Sequence, residues 1–337
     1  MGVVSSFGYR RAMVSPLQDD SAEGALGPAR RISGDPAARI SRDPAAQKSP
    51  DPGLYGPGSE GWRLDREAML LLAAGPRSLL LQIAHPLVAE GVDQHSAFRS
   101  DPWGRLQGTL RSYLRIVYGT SAAARAEIRR LNAMHCSIGG PVHDAAAREA
   151  HGPSYSARDP ELAMWVHATL VDSTIETYDA WLEPYDRDSR ERFYAETRPI
   201  GRAFGIPDGL LPRDYDAFEA YMARTLAPDG PIHVSETGRR IGQAILNPPL
   251  GPVFPPLGWL PSPAYAWTLW PAVGLLPPRL REEFGLSWGL RERAVSAWLV
   301  AGWRAWRPFV PTSFRWMPQA RAADSRMADS AEGDPAP

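Results

Sequence analysis

Apolar side chains recur at intervals of three and four residues through most of the chain between residues 53 and 319, and period-two alternation is nearly absent. The first spacing places apolar side chains along one face of an α-helix, whereas a half-buried strand requires the second. The pattern therefore predicts an all-α fold in a single multi-helix domain.

Capping residues and prolines set the predicted helix boundaries. Asp101 before Pro102 and Asp159 before Pro160 are typical of helix starts. The carboxylate accepts a hydrogen bond from an unpaired backbone N–H of the first turn, and proline has no backbone N–H that would need a partner there. Ser121 predicts a third start, and Gly75 with Pro76 a break. The predicted helices are 63–74, 78–90, 101–117, 121–136, 159–182, 189–204, 213–226, 235–246 and 290–306. Proline-rich tracts, such as the one from Asn247, are interpreted as connections.

Both ends of the chain differ from this pattern. Residues 1–52 are rich in Ser, Asp, Pro, Ala and Arg, and they contain a tandem repeat, RISGDPAA from Arg31 and RISRDPAA from Arg39. Such a segment buries too little apolar surface to offset the entropy of ordering it. Residues 320–337 share this composition, so both ends are predicted to be disordered tails.

Charge and cysteine content exclude several classes of protein. The formal net charge is -1 with both signs interspersed, so nothing favours a nucleic-acid partner. A single cysteine, Cys136, excludes an intrachain disulfide and a multi-cysteine metal site, and it is interpreted as a small buried residue. We therefore expect a cytoplasmic protein. Arginine is almost the only cation, which is typical of a GC-rich bacterial genome.

Membrane contact is expected to be peripheral at most. No apolar run reaches the ~20 residues that cross a bilayer, and the nearest, from Ala264 to Leu276, is interrupted by Pro271. The aromatic-rich region from Trp259 to Trp306 is interpreted as core or subunit interface in preference to a membrane-binding surface. The sequence leaves the oligomeric state open.

Four histidines occupy the chemically informative part of the chain: His85, His95, His135 and His167. His135 shares a predicted helix face with Ile128, Leu131 and Ile138, which places its imidazole toward the core. The helix from Asp159 is apolar around its whole circumference, so His167 on it is expected to be buried. A buried imidazole needs a partner inside the protein, and that partner is more often a structural hydrogen bond than a metal.

The helix from Asp101 carries two predicted stripes. The apolar stripe is expected to be buried, and it comprises Leu106, Leu110, Tyr113, Leu114 and Val117. Beside it lie Arg105, Thr109 and Ser112, where a half-buried arginine next to a hydroxyl suits an anionic group such as a propionate. Pairing of Arg105 with Asp101 is an equally good alternative.

The common catalytic signatures are missing from the sequence. It has no HExxH, no paired ExxH, no GxSxG, no GxxxxGK and no GxGxxG after a strand. These absences favour a cofactor embedded among helices, because one imidazole and an apolar pocket are sufficient to hold haem.

Several blocks of the chain resemble one family, the oxygenase-type domain shared by latex-clearing rubber oxygenases and the fungal MpaB oxygenase. The blocks are GLYGPGSEGWRLDREAMLLL from Gly53, LLLQIAHPLVAEGVDQHSAFRSDPWGRLQGTL from Leu79, RRLNAMH ending at His135, YSARDPELAMWVHATLVDS from Tyr155 and, more weakly, RAFGIPDGLLPRDYDAFEAYM from Arg202. The resemblance covers roughly residues 53–249. It implies a globin-like helical core and a catalytic domain spanning residues 53–319.

The resemblance also implies a site. In the rubber oxygenases a histidine is the proximal ligand of a b-type haem, and by position this ligand is His135. Arg105 and Thr109 match the family's RxxxT pattern at the haem pocket, and His167 matches a second pocket histidine. Glu90 is the nearest candidate for the family's glutamate base.

One position departs from the rubber oxygenases. Those enzymes can place a lysine on the distal side of the iron, whereas this chain has Gly108 there and its only lysine, Lys48, lies in the N-terminal tail. This departure excludes a distal lysine ligand and counts against poly-isoprene as the substrate.

The leading hypothesis is a haem b oxygenase that acts on a hydrophobic small molecule with O2. Haem would be held by His135 through the iron and by Arg105, Thr109 and His167, while Arg105, Thr109, His167 and Glu90 serve catalysis. A first alternative is a non-haem metal oxidoreductase that uses His135 and His167 with Asp172 or Glu176. A second alternative is a helical protein without catalysis that binds a lipid-like ligand or a partner.

Overall fold

The computed structural model describes residues 51–96, 101–246 and 269–332 of the chain. These residues are helical apart from one small sheet, which confirms the predicted all-α class. The elements are α1 (Glu60–Asp65), α2 (Ala68–Ala84), α3 (Pro86–His95), α4 (Pro102–Tyr118), α5 (Ser121–His135), β1 (Gly139–Pro141), α6 (Ala145–His151), β2 (Ser154–Ser156), α7 (Pro160–Trp181), α8 (Arg187–Ala203), α9 (Tyr215–Thr225), α10 (Glu236–Leu246), α11 (described over 269–274), α12 (Pro278–Glu283), α13 (Leu290–Trp306), a 3₁₀ turn (Arg307–Phe309), α14 (Thr312–Arg315) and α15 (Pro318–Glu332).

The predicted caps of the two best-marked helices are present. The Asp101 carboxylate accepts from the amide of Gly104, and that of Asp159 accepts from the amide of Glu161. The third helix, α5, begins at Ser121 as predicted, but its capping residue is Thr120 and not Ser121. These caps satisfy amides that have no partner within their own helices.

The predicted break at Gly75 and Pro76 is wrong. Pro76 lies inside α2, which continues to Ala84, and the chain turns instead at His85. There the Nδ1 of His85 accepts from the amide of Leu87 over 3.2 Å and caps α3, whose first residue is Pro86. His85 therefore lies at the break between α2 and α3 and also caps α3.

Helix α7 lies at the centre of the main core, as its all-round apolar pattern predicts. It packs along α2, where the indole Nε1 of Trp165 donates to the Leu81 carbonyl over 3.1 Å. Arg77 of α2 is buried and pairs with Asp172 of α7 over 2.7 Å. The polar groups of this buried contact are thus matched across the two helices.

The sheet is an element that the sequence pattern did not predict. Strands β1 and β2 pair antiparallel, with Gly140 opposite Tyr155, and α6 lies between them in the chain. Three residues per strand are too few to show an alternating pattern, and β1 consists of glycine and proline. The sheet connects the end of α5 to the start of α7.

The C-terminal region differs from the predicted tail. Residues 318–332 form α15, and Ala320 and Ala323 are fully buried against Trp62 and Leu114. The indole of Trp62 donates to the Asp324 carboxylate over 2.8 Å. Composition missed this helix because two alanines at a spacing of three allow close packing without raising mean hydropathy. The predictions for residues 1–50, for 247–268 and for 333–337 lie outside the described residues.

Among the described residues, no single helix is both long and apolar enough to cross a bilayer. Helices α2 and α3 reach that length and composition only when taken together, and the bend between them is 104°.

Candidate functional site

The site is built on the antiparallel pair α4 and α5. The two helices are joined by two residues, and the Ser112 hydroxyl of α4 donates to the Glu127 carboxylate of α5 over 2.7 Å. Two turns back along α4 lies Arg105, and two turns further along α5 lies His135, because the helices run in opposite directions. The two residues predicted from separate segments are therefore brought together, whereas Ser112 is engaged with Glu127.

Arg105 is held by two hydroxyl groups. Its guanidinium donates to the Thr109 Oγ1 over 2.6 Å and to the Ser96 Oγ, at the end of α3, over 3.0 Å. The alternative pairing with Asp101 is not formed, since that carboxylate caps α4. The side chain is exposed where half-burial was expected, yet desolvation by its surroundings lowers its pKa. Arg105 thus presents a fixed positive charge that no described carboxylate neutralises.

His135 ends α5 and is half-buried. Its imidazole forms no hydrogen bond with another described residue. Burial lowers the pKa of this imidazole, and the charge of Arg105 lowers it further. At neutral pH the ring is therefore uncharged, the form in which an imidazole nitrogen can bind a metal.

The surface beside these residues is apolar and open. Leu106 is 41% exposed and Met134 is 42% exposed, and a Cβ placed on Gly108 would have no heavy atom within 4 Å. The expectation of a buried Leu106 is wrong, as is that of a buried Cys136, which is exposed. Both predictions failed because the first half of α4 and the end of α5 are not covered by other described helices. The result is an exposed apolar surface beside Arg105 and an imidazole without a partner among the described residues.

His167 of α7 is buried, and its Nε2 has no partner among the described residues. Burial lowers its pKa to about 4, so it is neutral over the physiological range. It lies beside Gly201 in the last turn of α8, 3.4 Å from the position that a Cβ would take. The same turn receives a hydrogen bond from Asn132, one turn before His135, at the Ala203 carbonyl over 2.9 Å. His167 and Asn132 therefore contact the same turn of α8 from different helices.

Glu90 of α3 is buried and surrounded by donors. Its carboxylate accepts from the amides of His143 and Asp144, from Gln94 and from the His143 ring, at 2.8 to 3.1 Å. Burial alone would raise the pKa of Glu90, but these hydrogen bonds outweigh it and the pKa is lowered. Glu90 thus anchors the segment after β1, which is a structural task that the sequence did not indicate.

The carboxylates of the non-haem alternative are used elsewhere. Asp172 pairs with the buried Arg77 over 2.7 Å, and Glu176 lies 3.8 Å from Arg190. No group of three or more His, Cys, Asp or Glu side chains within the described ranges is arranged to hold a metal ion. The structure therefore offers no two-histidine, one-carboxylate site from these residues.

Sequence reasoning also missed a cluster of three imidazoles. The rings of His85 and His151 are 5.2 Å apart, and those of His151 and His233 are stacked at 6.4 Å. Burial, followed by the charges of the other two histidines, lowers the pKa of His85 to about 3. No local signal could have revealed this cluster, since its members come from three distant segments.

Comparison with known proteins identifies relatives of this chain and its family. The chain is 27% identical over 243 residues to uncharacterized proteins of Mycobacterium bovis and Mycobacterium tuberculosis, which covers 69% of this chain and 86% of each relative. No solved structure matches it. The family model described as "ER-bound oxygenase mpaB/B'/Rubber oxygenase, catalytic domain" matches residues 62–311. The chain therefore belongs to the mpaB/rubber oxygenase family and carries its oxygenase catalytic domain.

Proposed function

We propose that this protein is a haem b-dependent oxygenase that acts on a hydrophobic small molecule with O2. The observation that carries the proposal is the imidazole of His135, which is half-buried, without a protein partner among the described residues, and next to an open apolar surface. A structural histidine would be expected to use its nitrogens for hydrogen bonds. Membership in an oxygenase family supports the same reaction class.

The residues at this surface fit haem b in kind. His135 would hold the iron, Leu106 and Met134 would contact the apolar faces of the porphyrin, and Gly108 leaves space beside α4. The exposed guanidinium of Arg105 suits a propionate, since an arginine binds a carboxylate through two parallel hydrogen bonds. Haem with one protein ligand supplies an iron centre that can activate O2.

The polar side chains then have separate tasks. The charge of Arg105 disfavours protonation of His135 and keeps it available as a ligand. Thr109 and Ser96 hold the guanidinium in place. The unpartnered Nε2 of His167 could accept or return a proton in a site that excludes water, which makes it the better proton carrier. Glu90 is a weaker candidate, because its oxygens already accept hydrogen bonds from its neighbours.

The exposed side chains beside His135 suggest the substrate class. Leu106, Met134 and Gly108 offer apolar contact and no hydrogen-bond donor from a side chain. An apolar molecule gains most from such a surface, because it leaves water without losing polar contacts.

An absorption spectrum of the full-length chain, produced with a supply of haem, tests the proposal. We expect a Soret band that is lost in His135→Ala and retained in His143→Ala, whose exposed imidazole is a matched control. A Soret band that persists in His135→Ala would assign the iron ligand to another residue. Stoichiometric iron without porphyrin would favour the non-haem alternative. Purified protein that takes up neither iron nor haem would favour a binding protein.

A further inference from the structure

The outer face of α13 is apolar although it is exposed to solvent. The residues of this face recur at spacings of three and four and are exposed: Leu290, Ala294, Ala297, Trp298, Ala301 and Ala305. We call them the outer α13 face. Trp298 is 73% exposed and Leu290 is 86% exposed, while Val300 and Trp303 on the opposite side pack against the main core. A helix that is apolar on both sides is normally covered on both sides.

The charged residues around this face are cations. On a helical wheel Arg291 lies along one edge of the outer α13 face, and Arg293 and Arg304 lie along the other. Residues 290–317 contain five arginines and one glutamate and no other charged residue. Arg307 and Arg315 pair with Glu67, so the positive charge beside this face comes from the three arginines of α13. The segment after α13 adds two more exposed aromatic side chains, Phe309 and Phe314.

A pocket of about 300 Å³ opens at one edge of this face. Arg281, Trp288 and Arg293 line it together with Glu282, so two guanidinium groups share the pocket with one carboxylate. Arg281 is fixed by donation to the carbonyls of Gly274 and Leu276. One fixed and one exposed guanidinium beside a single carboxylate suit a phosphate group.

We propose that the outer α13 face is an interfacial docking surface for a bilayer that contains anionic phospholipids, with a headgroup phosphate in the pocket between Arg281 and Arg293. Tryptophan and leucine enter the boundary between headgroups and acyl chains, while arginines along the edges reach the phosphates. The sequence favoured core or a subunit interface for this region. An isologous dimer through the same face would bring like-charged arginine edges together, so charge favours the lipid surface.

Vesicle flotation with the full-length chain tests this assignment, and it requires no cofactor. We expect the chain to bind vesicles of phosphatidylcholine with phosphatidylglycerol more strongly than vesicles of phosphatidylcholine alone. This difference between the two vesicles should disappear when the salt concentration is raised from about 0.1 M to about 1 M, because the Debye length falls from ~10 Å to ~3 Å. Trp298→Ser combined with Leu290→Ser should abolish binding to both. Arg293→Gln combined with Arg304→Gln should weaken binding to the anionic vesicles about 30-fold, since each arginine contributes about one factor of five. Arg158→Gln with Arg213→Gln, at exposed positions elsewhere, is the charge-matched control.

Three outcomes would overturn the proposal. The first would be a chain that is helical by circular dichroism but floats with neither kind of vesicle. The second would be variants of the outer α13 face that bind as well as the unchanged chain. The third would be a dimer, seen by sedimentation, that Trp298→Ser converts to a monomer, which would assign the face to a second copy. Because the assay does not depend on haem, its failure would leave the proposed oxygenase function untouched.

Discussion

Burial and the nearby guanidinium of Arg105 act in the same direction on His135, and both lower the pKa of its imidazole. Arg105→Gln should therefore raise that pKa, because it removes a positive charge and leaves the helix in place. An NMR titration of the imidazole protons measures the change in the cofactor-free chain. Arg158→Gln, on an exposed loop, is the control that should leave the titration unchanged. If Arg105→Gln lowers the pKa or leaves it as it was, the two groups are not coupled as the structure has them.

Asp65 predicts that the free energy of unfolding falls as pH rises, which is the opposite of the effect of most carboxylates. It is buried, Tyr113 donates to its Oδ2 over 2.9 Å, and its Oδ1 has no partner among the described residues. Burial raises its pKa to about 7 from the ordinary aspartate value of 3.8. Between these two pKa values the folded state therefore binds more protons than the unfolded state. The free energy of unfolding therefore falls as pH rises toward 7, because ionised Asp65 is disfavoured in the folded chain. Asp65→Asn should be more stable than the unchanged chain at pH 8, by about 1–4 kcal/mol at ~1.4 kcal/mol per pKa unit.

Urea unfolding at pH 8 and at about pH 4 measures this difference, which should vanish at the lower pH. Asp188→Asn, in the first turn of α8 and exposed, is the control. A destabilised Asp65→Asn at pH 8 would mean that the buried carboxylate is ionised and satisfied.

Two buried histidines, His85 of the imidazole cluster and His167 of α7, predict that the folded chain is sensitive to acid. The pKa of His85 is lowered to about 3 and that of His167 to about 4, so the folded state holds fewer protons than the unfolded state below about pH 6.5. The stability that these neutral rings provide is present above pH 6.5 and is lost as pH falls toward their folded values. Each ring contributes a slope of up to ~1.4 kcal/mol per pH unit.

His85→Asn isolates one of these contributions. Asparagine keeps a side-chain acceptor for the Leu87 amide at the start of α3 but does not titrate. The fall in unfolding free energy between pH 6.5 and 4.5 should become shallower by about 1 kcal/mol per pH unit. His95→Asn, at an exposed site, should leave the slope as it is. A slope that does not respond to His85→Asn would show that its ring is protonated in the folded chain.

Glu90 predicts a structural effect. Glu90→Gln removes one acceptor oxygen from a carboxylate that receives the amides of His143 and Asp144, and it should cost about 1–3 kcal/mol of unfolding free energy. Because the Glu90 pKa is lowered, the loss should be full above the ordinary glutamate pKa and shrink as pH falls below it. Amide exchange at Asp144 should quicken, whereas the exposed Glu149→Gln should change neither quantity. An unchanged stability would return Glu90 to the list of candidate bases.

Local chemistry determined which parts of the fold the sequence could predict. The starts of α4 and α7 follow from one aspartate and one proline each, and the predicted helix 290–306 matches α13 because its pattern is uninterrupted. The break placed at Pro76 was wrong because packing against α7 holds α2 together despite the proline. A local preference lost to a tertiary contact there.

The proximity of three candidate residues was predictable from the sequence, but their exposure was not. Arg105, Thr109 and His135 could be chosen from helical spacing and from the family resemblance, and the structure brings them together. Whether Leu106 is buried depends on which other helices cover α4, and no property of that helix alone decides this. The pairing of Arg105 with Ser96, nine residues earlier at the end of α3, is likewise not a property of α4 alone.

The contact between Trp62 and α15 has a practical consequence for anyone producing this protein. The family match begins at residue 62 and ends at residue 311, but the indole of Trp62 bonds to Asp324 and packs on Ala320 and Ala323. An expression plasmid trimmed to the match would leave a large aromatic ring bare and a polar N–H without its acceptor, and its product would be prone to precipitate. Cloning boundaries should start ahead of Asp51, whose carboxylate holds Ser121, and should extend beyond Asp324.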